Sequence, residues 1–348
     1  MGMNAMRPKR TARLVAFLLF SLFMLGTGAK ALAKTALRFA SLAPAGSSWM
    51  IVADELRKEI AQKTDGQVEL ILYAGGIMGD DADMVRKMRL KQLQCAGLTG
   101  MGLGKILPAE RILELPLMFQ DEAEVDKALG VLTPSFFAPE FEKQGFKLMG
   151  WAENGFVYLF SKKPVRRFED LKGVRVWVWA GDDYAMEVFK SIGVVTPVPI
   201  AVPEVLTALQ TRLIDAFYNT PLAAVALQWQ PHVGSMVDYP IVYGSAALVM
   251  EKGAFDAIPE AYKGTVAKAF ETYARKIALV ARADNAKLLE AFHGRGIERV
   301  PLSDDVKTEL KRRFDALYVR MAGRQYPKGL LVELLEMLGK PLPQGLVR

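Results

Sequence analysis

The sequence predicts an α/β fold assembled as two units in one chain. Three observations carry this prediction. Short apolar strand-like runs alternate with helix-like runs spaced by four; Gly and Pro punctuate the joins; and 348 residues suffice for about two domains. Half of the residues are apolar, at 51%, so a sizeable core is within reach.

The first residues belong to neither unit. Arg7, Lys9, Arg10 and Arg13 precede the apolar run from Leu14 to Leu25, and Ala31-Leu32-Ala33 supplies the small residues of a cleavage site. Residues 1–33 thus read as a Sec-type signal peptide cleaved after Ala33, which marks the mature chain for export. Its removal takes away five basic residues, leaving 40 Lys and Arg of the original 45 against 38 acidic residues. The basic balance belongs largely to the leader and gives no argument for nucleic acid. A single cysteine, Cys95, excludes an internal disulfide and reads as a small buried residue.

Ala36 to Ser41 opens the mature chain as a strand. Ser47 or Ser48 caps a helix with Val52, Leu56 and Ile60 on one face, and Gly66 ends it. Val68 to Tyr73 is the next strand. The turn Gly75 to Asp81 leads to a helix carrying Met84, Val85 and Met88, and the strand around Cys95 to Leu98 follows. An acidic start opens a helix from Glu122 to Leu132. Phe146–Trp151 and Gly155–Phe160 are two further strands, with Ala152-Glu153-Asn154 between them as the crossing into the second unit.

The second unit is organised around Gly173-Val174-Arg175-Val176-Trp177-Val178-Trp179-Ala180-Gly181. Valines alternate with Arg175, Trp177 and Trp179, so one strand face carries both tryptophans. Asp182-Asp183 then starts a helix with Ala185, Val188, Phe189 and Ile192 on one side. Thr196–Ile200 is a strand, Pro203 opens a helix with Val205, Leu206 and Leu209, and Leu213 to Asn219 is the strand after it. Ligands of open α/β sheets sit at the carboxyl ends of strands, so Trp177 and Trp179 are candidates for a binding wall, with core packing as the competing role. Val237 to Met250 is extended and crosses back. Pro259 begins a helix reaching Phe292 and ended by Gly294. Val306, Leu310, Phe314, Leu317 and Met321 mark a last amphipathic helix. The resulting plan is signal peptide 1–33, first lobe 34–153, second lobe 154–243, return crossover 244–258, and long bracing helix with C-terminal helices 259–348.

Catalytic and cofactor chemistry finds little support. His232 and His293 lie far apart, one cysteine leaves a transition metal few ligands, and no Gly-x-Ser-x-Gly elbow occurs. Gly100-Met101-Gly102-Leu103-Gly104-Lys105 lacks the spacing of a phosphate loop and reads as a tight turn where backbone approaches a cleft or a helix. Asp80-Asp81 and Asp182-Asp183 read as helix-start anions. No cofactor, metal or enzymatic activity is expected.

Five segments in order resemble the substrate-binding proteins of tripartite ATP-independent periplasmic (TRAP) transporters, DctP type. They are Gly79–Met84, Leu107–Phe119, Phe168–Val176, Pro203–Gln210 and Asp215–Asn219. The resemblance implies a two-lobed periplasmic-binding-protein fold, type II-like, with a long bracing helix, which closes on a small organic ligand and delivers it to the small and large permease subunits. A homodimer or a helper lipoprotein would be further partners. The family's carboxylate-binding arginine, in the pattern Leu-Lys-Gly-x-Lys-x-Arg-Val-Pro, falls here on Trp177, and its proline on Trp179. A second family arginine falls on Val157, whereas Asn219 is kept.

Tryptophan offers one N–H where arginine offers a bidentate fork. That exchange costs roughly 2–5 kcal/mol for a carboxylate, about one and a half to four decades in affinity. The expected ligand is accordingly apolar, aromatic or cationic rather than a dicarboxylate. Arg175 is the candidate that could restore acid binding, although it sits near the strand's start. Trp49, Trp151, Asn154, Tyr158, Tyr218 and Tyr243 complete the candidate lining. Two alternatives are an organic-acid receptor with a displaced arginine and a permease-independent carrier of lipid-like molecules.

Overall fold

In the computed structural model, residues 34–346 are described. The expected signal peptide lies outside them. The first sheet starts as predicted. β1 (Thr35–Ser41) and β2 (Val68–Tyr73) run parallel and are joined by α1 (Ser48–Lys63), whose Val52, Leu56 and Ile60 are buried. Helix α2 (Asp81–Arg89) leads from β2 to β3 (Cys95–Thr99), parallel to β1 on its other side. Asp80 caps α2 by accepting the Asp83 N–H. Cys95 is fully buried.

Residues 100–106 form α3 (Gly100–Ile106) rather than the expected turn, and a 3₁₀ segment, Pro108–Glu114, follows. Its glycines make room for the chain's own charged side chains. A Cβ on Gly100 would stand 2.1 Å from the Glu114 carboxylate, one on Gly104 would stand 2.7 Å from Arg111, and one on Gly102 would stand 3.0 Å from Asp81. Asp81 accepts from the Thr99 and Gly102 amides, which are orphan donors at the α3 start. A phosphate loop keeps such donors for a ligand; here a carboxylate of the same chain takes them.

Helices α4 (Glu122–Leu132) and α5 (Ala138–Lys143) flank a π-helical turn, Thr133–Phe137, and lead into β4 (Phe146–Ser161). The two strands expected in this region are one sixteen-residue strand. Register shifts at Leu148/Gly150 and Glu153/Gly155 bend it without breaking its pairing. Bulges keep the ladder continuous, so polar Glu153 and Asn154 do not end the strand.

The second sheet holds β5 (Arg175–Trp179), β6 (Thr196–Ile200) and β7 (Ala216–Asn219), with α6 (Asp183–Ile192) and α7 (Val202–Gln210) between them. β7 starts three residues later than predicted, because Arg212 turns at φ 60° and Leu213 is exposed. After β7 come α8 (Pro221–Ala226), β8 (Ser235–Val237) and β9 (Val242–Glu251), and then α9 (Lys252–Asp256). Helix α10 (Glu260–Ala291) has 32 residues, about 48 Å of helix. β10 (Glu298–Val300), α11 (Asp304–Met321) and α12 (Lys328–Met337) end the order.

The strand order is β2-β1-β3-β9-β4-β7-β5-β6, with β8 on β4 and β10 on β8. β4 is the strand common to both halves: it pairs with β9 up to Val157 and with β7 from Tyr158 onward. Residues from Thr35 onward fall in one compact unit, so the two sheets are lobes of one body. Helix α10 locks onto β4 at two glycines. Gly150 lies against Ala274 and Gly155 against Asn285, where added Cβ atoms would approach to 2.8 Å and 2.5 Å. Asn285 donates to the Asn154 carbonyl and accepts the Leu222 amide, which ties helix, crossing strand and second lobe together.

Candidate ligand-binding cavity

A cavity of about 240 Å³ lies between the sheets. β1, β3, β4 and β9 line it from the first sheet, and β5, β7 and α6 from the second. Most of its surface is apolar: Phe39, Leu42, Met50, Leu98, Met101, Val157, Val188 and Phe189 all contribute. Of the residues picked out by sequence, Trp49, Asn154, Tyr158, Trp177, Trp179, Tyr218 and Asn219 line it.

Trp177 reaches the cavity from inside the core. It is 2% exposed and its Nε1 donates to the Ile200 carbonyl at 2.9 Å. Its ring stacks on Tyr218 at 4.9 Å and meets Trp229 edge-on at 5.1 Å. Its single donor is spent on backbone, and its area is spent mostly on neighbouring rings. Trp179 is less covered, and its Nε1 has no partner.

Three expected lining residues stand elsewhere. Trp151 donates to Thr133 Oγ1 at 2.7 Å and packs edge-on against Phe137, held by the π-helical turn. Tyr243 is buried between Phe119 and Phe156. Arg175, at the start of β5, forms a fork with Asp215 through Nε at 2.8 Å and Nη2 at 2.9 Å. The strand's direction carries Arg175 away from the cleft end, and Asp215 takes its charge.

The charged floor was not picked out by sequence. Arg111 reaches Asp182 at 3.0 Å and Glu114 at 3.1 Å, and its guanidinium lies over the Tyr184 ring at 4.5 Å. Glu114 also accepts from the Ser245 amide and hydroxyl, and Glu110 shares that hydroxyl. Tyr184 donates to the Glu114 carbonyl and Lys105 to the Gly181 carbonyl. These contacts join residues 100–114 to the start of α6, linking the two halves. Asp182 does cap α6, as its position before the helix predicts, by accepting the Ala185 amide. A recoverable signal was the charged set Glu110, Arg111 and Glu114 within the largely apolar stretch Leu107–Phe119.

Burial disfavours ionisation of these carboxylates. It raises Glu114 and Glu110, and each carboxylate sits near others that raise it further. Burial pushes Asp81 and Glu153 up to about 7. Burial works against the Arg111 charge, but Asp182 and Glu114 outweigh it and hold the guanidinium protonated.

A carboxylate whose pKa is raised on folding keeps its proton in the folded chain while the unfolded chain has lost it. Stability therefore falls as pH climbs from the ordinary carboxylate range through about 7. Surface carboxylates such as Asp215 and Glu309, lowered by arginine partners, act oppositely and lose their contribution on acidification. Thermal midpoints measured across pH are expected to peak near about pH 5 and to decline toward about pH 8. A profile flat from about pH 5 to 8 would mean that the buried acids are ionised and compensated throughout.

The fold and cavity define a two-lobed receptor for a small molecule. The family model for bacterial extracellular solute-binding proteins, family 7 (DctP), matches residues 39–325, and the chain belongs to that family. It is 26% identical over 336 residues to the 2,3-diketo-L-gulonate-binding periplasmic protein YiaO of Escherichia coli K12, covering 94% of each chain. A solute-binding protein of Verminephrobacter eiseniae is 27% identical over 274 residues, 77% of this chain and 80% of that one. Among solved structures, a TRAP periplasmic solute-binding protein of Haemophilus influenzae with bound L-gulonate superposes with a TM-score of 0.81. It is 21% identical, and the match covers 87% of this chain and 100% of that one. These are binding proteins, not enzymes. Among the described residues no helix is long and apolar enough to cross a membrane, and no group of three or more potential metal ligands occurs.

Proposed function

We propose that the chain is the periplasmic receptor of a TRAP-type importer for a small organic solute with a large apolar or aromatic surface, not a dicarboxylate. The observation that carries this is the absence of an uncommitted cation in the cavity. Arg111 is the sole basic residue among the cavity's described lining and is already divided between Glu114 and Asp182. The position where the family places its acid-binding arginine holds Trp177, whose donor is spent on Ile200. Permease subunits are the partners this reading requires. A lipid-like cargo suits the geometry poorly, since about 240 Å³ falls below the usual ~300–1,000 Å³ of small-molecule sites.

A second reading, an organic acid held by Arg111, is favoured by one observation: Arg111 Nε has no partner. The names of YiaO and of the gulonate-bound structure suggest sugar acids for those proteins.

Native mass spectrometry of the purified mature chain, followed by extraction, identifies a retained solute, and a thermal-shift panel of size-matched aromatics and sugar acids ranks the classes. The expected result is stabilisation by aromatic compounds, with Trp179→Ala weakening them up to about tenfold. Stabilisation by gluconate or glucuronate alone, unaffected by Trp179→Ala, would sink the first reading in favour of the second.

A further inference from the structure

The polar chemistry of the solute follows from the way two asparagine amides in the cavity wall are turned, and rests on the reading that this cavity holds the solute. Asn154, on β4, and Asn219, at the end of β7, both line the cavity, and both residues are partly exposed. Their side-chain oxygens are spent on one residue, Thr220. Asn219 Oδ1 accepts the Thr220 amide at 2.9 Å, and Asn154 Oδ1 accepts the Thr220 hydroxyl at 3.4 Å. Turning the Asn219 amide over would set its nitrogen against the Thr220 N–H, donor against donor. Thr220 is fully buried, and its Oγ1 accepts the Ala223 amide at 3.2 Å, so the residue that holds both amides is itself held.

The two amide nitrogens are left over. Among the described residues neither Asn154 Nδ2 nor Asn219 Nδ2 has a hydrogen-bond acceptor, and neither is sealed from accessible space. Asn154 Nδ2 stands beside Gly244, a glycine of the same lining, where an added Cβ would come within 3.4 Å of it. Asn219 pairs across the sheet with Tyr158, which also lines the cavity. The wall thus offers uncharged N–H donors set in apolar and aromatic surface. Two donors match the two lone pairs of one carbonyl oxygen. A carboxylate brings about four such sites and a full charge, whose burial beside neutral amides is uncompensated. An ammonium group brings only donors and would meet donors.

We propose that the solute's polar end is an uncharged acceptor, a ketone, ester or amide carbonyl on an apolar body, bonded by Asn154 Nδ2 and Asn219 Nδ2. Thr220 is the positioning residue that turns both amides nitrogen-first toward it.

The test compares matched probes on the mature chain by thermal shift and calorimetry: apolar carbonyl compounds, their hydrocarbon isosteres, and the corresponding amines and carboxylates. Acetophenone, α-methylstyrene, 1-phenylethylamine and benzoate form one such set. The expected result is that at least one carbonyl compound binds about tenfold or more tightly than its hydrocarbon and amine counterparts. Asn154→Leu and Asn219→Leu should each remove about fivefold of that affinity and leave the hydrocarbon within about twofold. Thr220→Val should lower the carbonyl-to-hydrocarbon ratio while Thr220→Ser keeps it; loss of the Ala223 cap alone would lower stability without moving that ratio. Should Thr220→Val fail to fold, Thr220→Ala takes its place, and equal ratios in the two Thr220 variants would overturn the positioning role. Should the asparagine variants fail to fold, the ratios on the unmodified chain still decide the solute class. Hydrocarbons binding as well as carbonyl compounds would overturn this assignment and leave the apolar-solute reading standing. Carboxylates binding more tightly than carbonyl compounds would overturn both. A panel in which no carbonyl compound binds, or in which amines bind best, overturns the assignment as well.

Discussion

Replacing Arg111 with methionine is expected to destabilise the protein by about 3–5 kcal/mol, read as a lower urea midpoint. The side chain is 6% exposed and is the cation between Glu114 and Asp182, with Glu110 one step behind. Removing it leaves carboxylates that cannot reach water. It also cuts the ionic link between the segment before Glu114 and the start of α6, while the Lys105 and Tyr184 contacts across the same junction persist. The loss should shrink on acidification: without the guanidinium the acids hold their protons more tightly, and protonated acids need no cation. A change below about 1 kcal/mol, or one independent of pH, would show that water enters and solvates this cluster.

Trp177→Ala is expected to cost about 3–5 kcal/mol, the range for removing a buried large aromatic side chain. The ring is stacked on Tyr218 and edged by Trp229, and the Ile200 carbonyl loses one of its two donors, keeping the Ala180 amide. Trp177→Arg, which restores the residue type that the family places there, should fall at least as far, because a guanidinium would replace a ring packed between Tyr218 and Trp229 and would lose its water there. Denaturant unfolding of both variants makes the check. A Trp177→Ala chain with unchanged stability that had lost only its solute would put the ring in the cavity wall rather than in the core.

The two-unit α/β plan was legible because strand and helix periods are local properties. Val52, Leu56 and Ile60 declare a helix face within nine residues, and β5 declares its alternation within five. Alternation places Trp177 and Trp179 on one face but does not say what covers it. The cover of Trp177 comes from Ile200, Tyr218 and Trp229, which arrive on later segments. Arg111 and Asp182 are 71 positions apart, and no local spacing announces their pairing. The glycine run at 100–104 misled for a related reason. Glycine reports that something comes close, and whether that is a phosphate or the chain's own Glu114, Asp81 and Arg111 is settled only by the fold.

The two close approaches of α10 to β4 set a rule of linked lengths. Ala274 and Asn285 are eleven residues apart on the helix, about 16.5 Å of rise and close to three full turns. Gly150 and Gly155 are five residues apart on the strand, but the bulge at Glu153/Gly155 sets them opposite Leu248 and Gly244. That is four residues of β9, about 13.6 Å at the usual strand rise, and the contact at Gly155 is made by the outstretched Asn285 Nδ2. Two lattices of different pitch are thus pinned together at two nodes, the second through a side chain. A single inserted residue in either element displaces one node and rotates or inverts whatever follows, so neither length is free to drift alone. Over evolutionary time such a pair can exchange side chains readily but can change its spacing only by a double event. The interval between these contacts should therefore be among the least variable distances in the chain, while loops elsewhere lengthen and shorten.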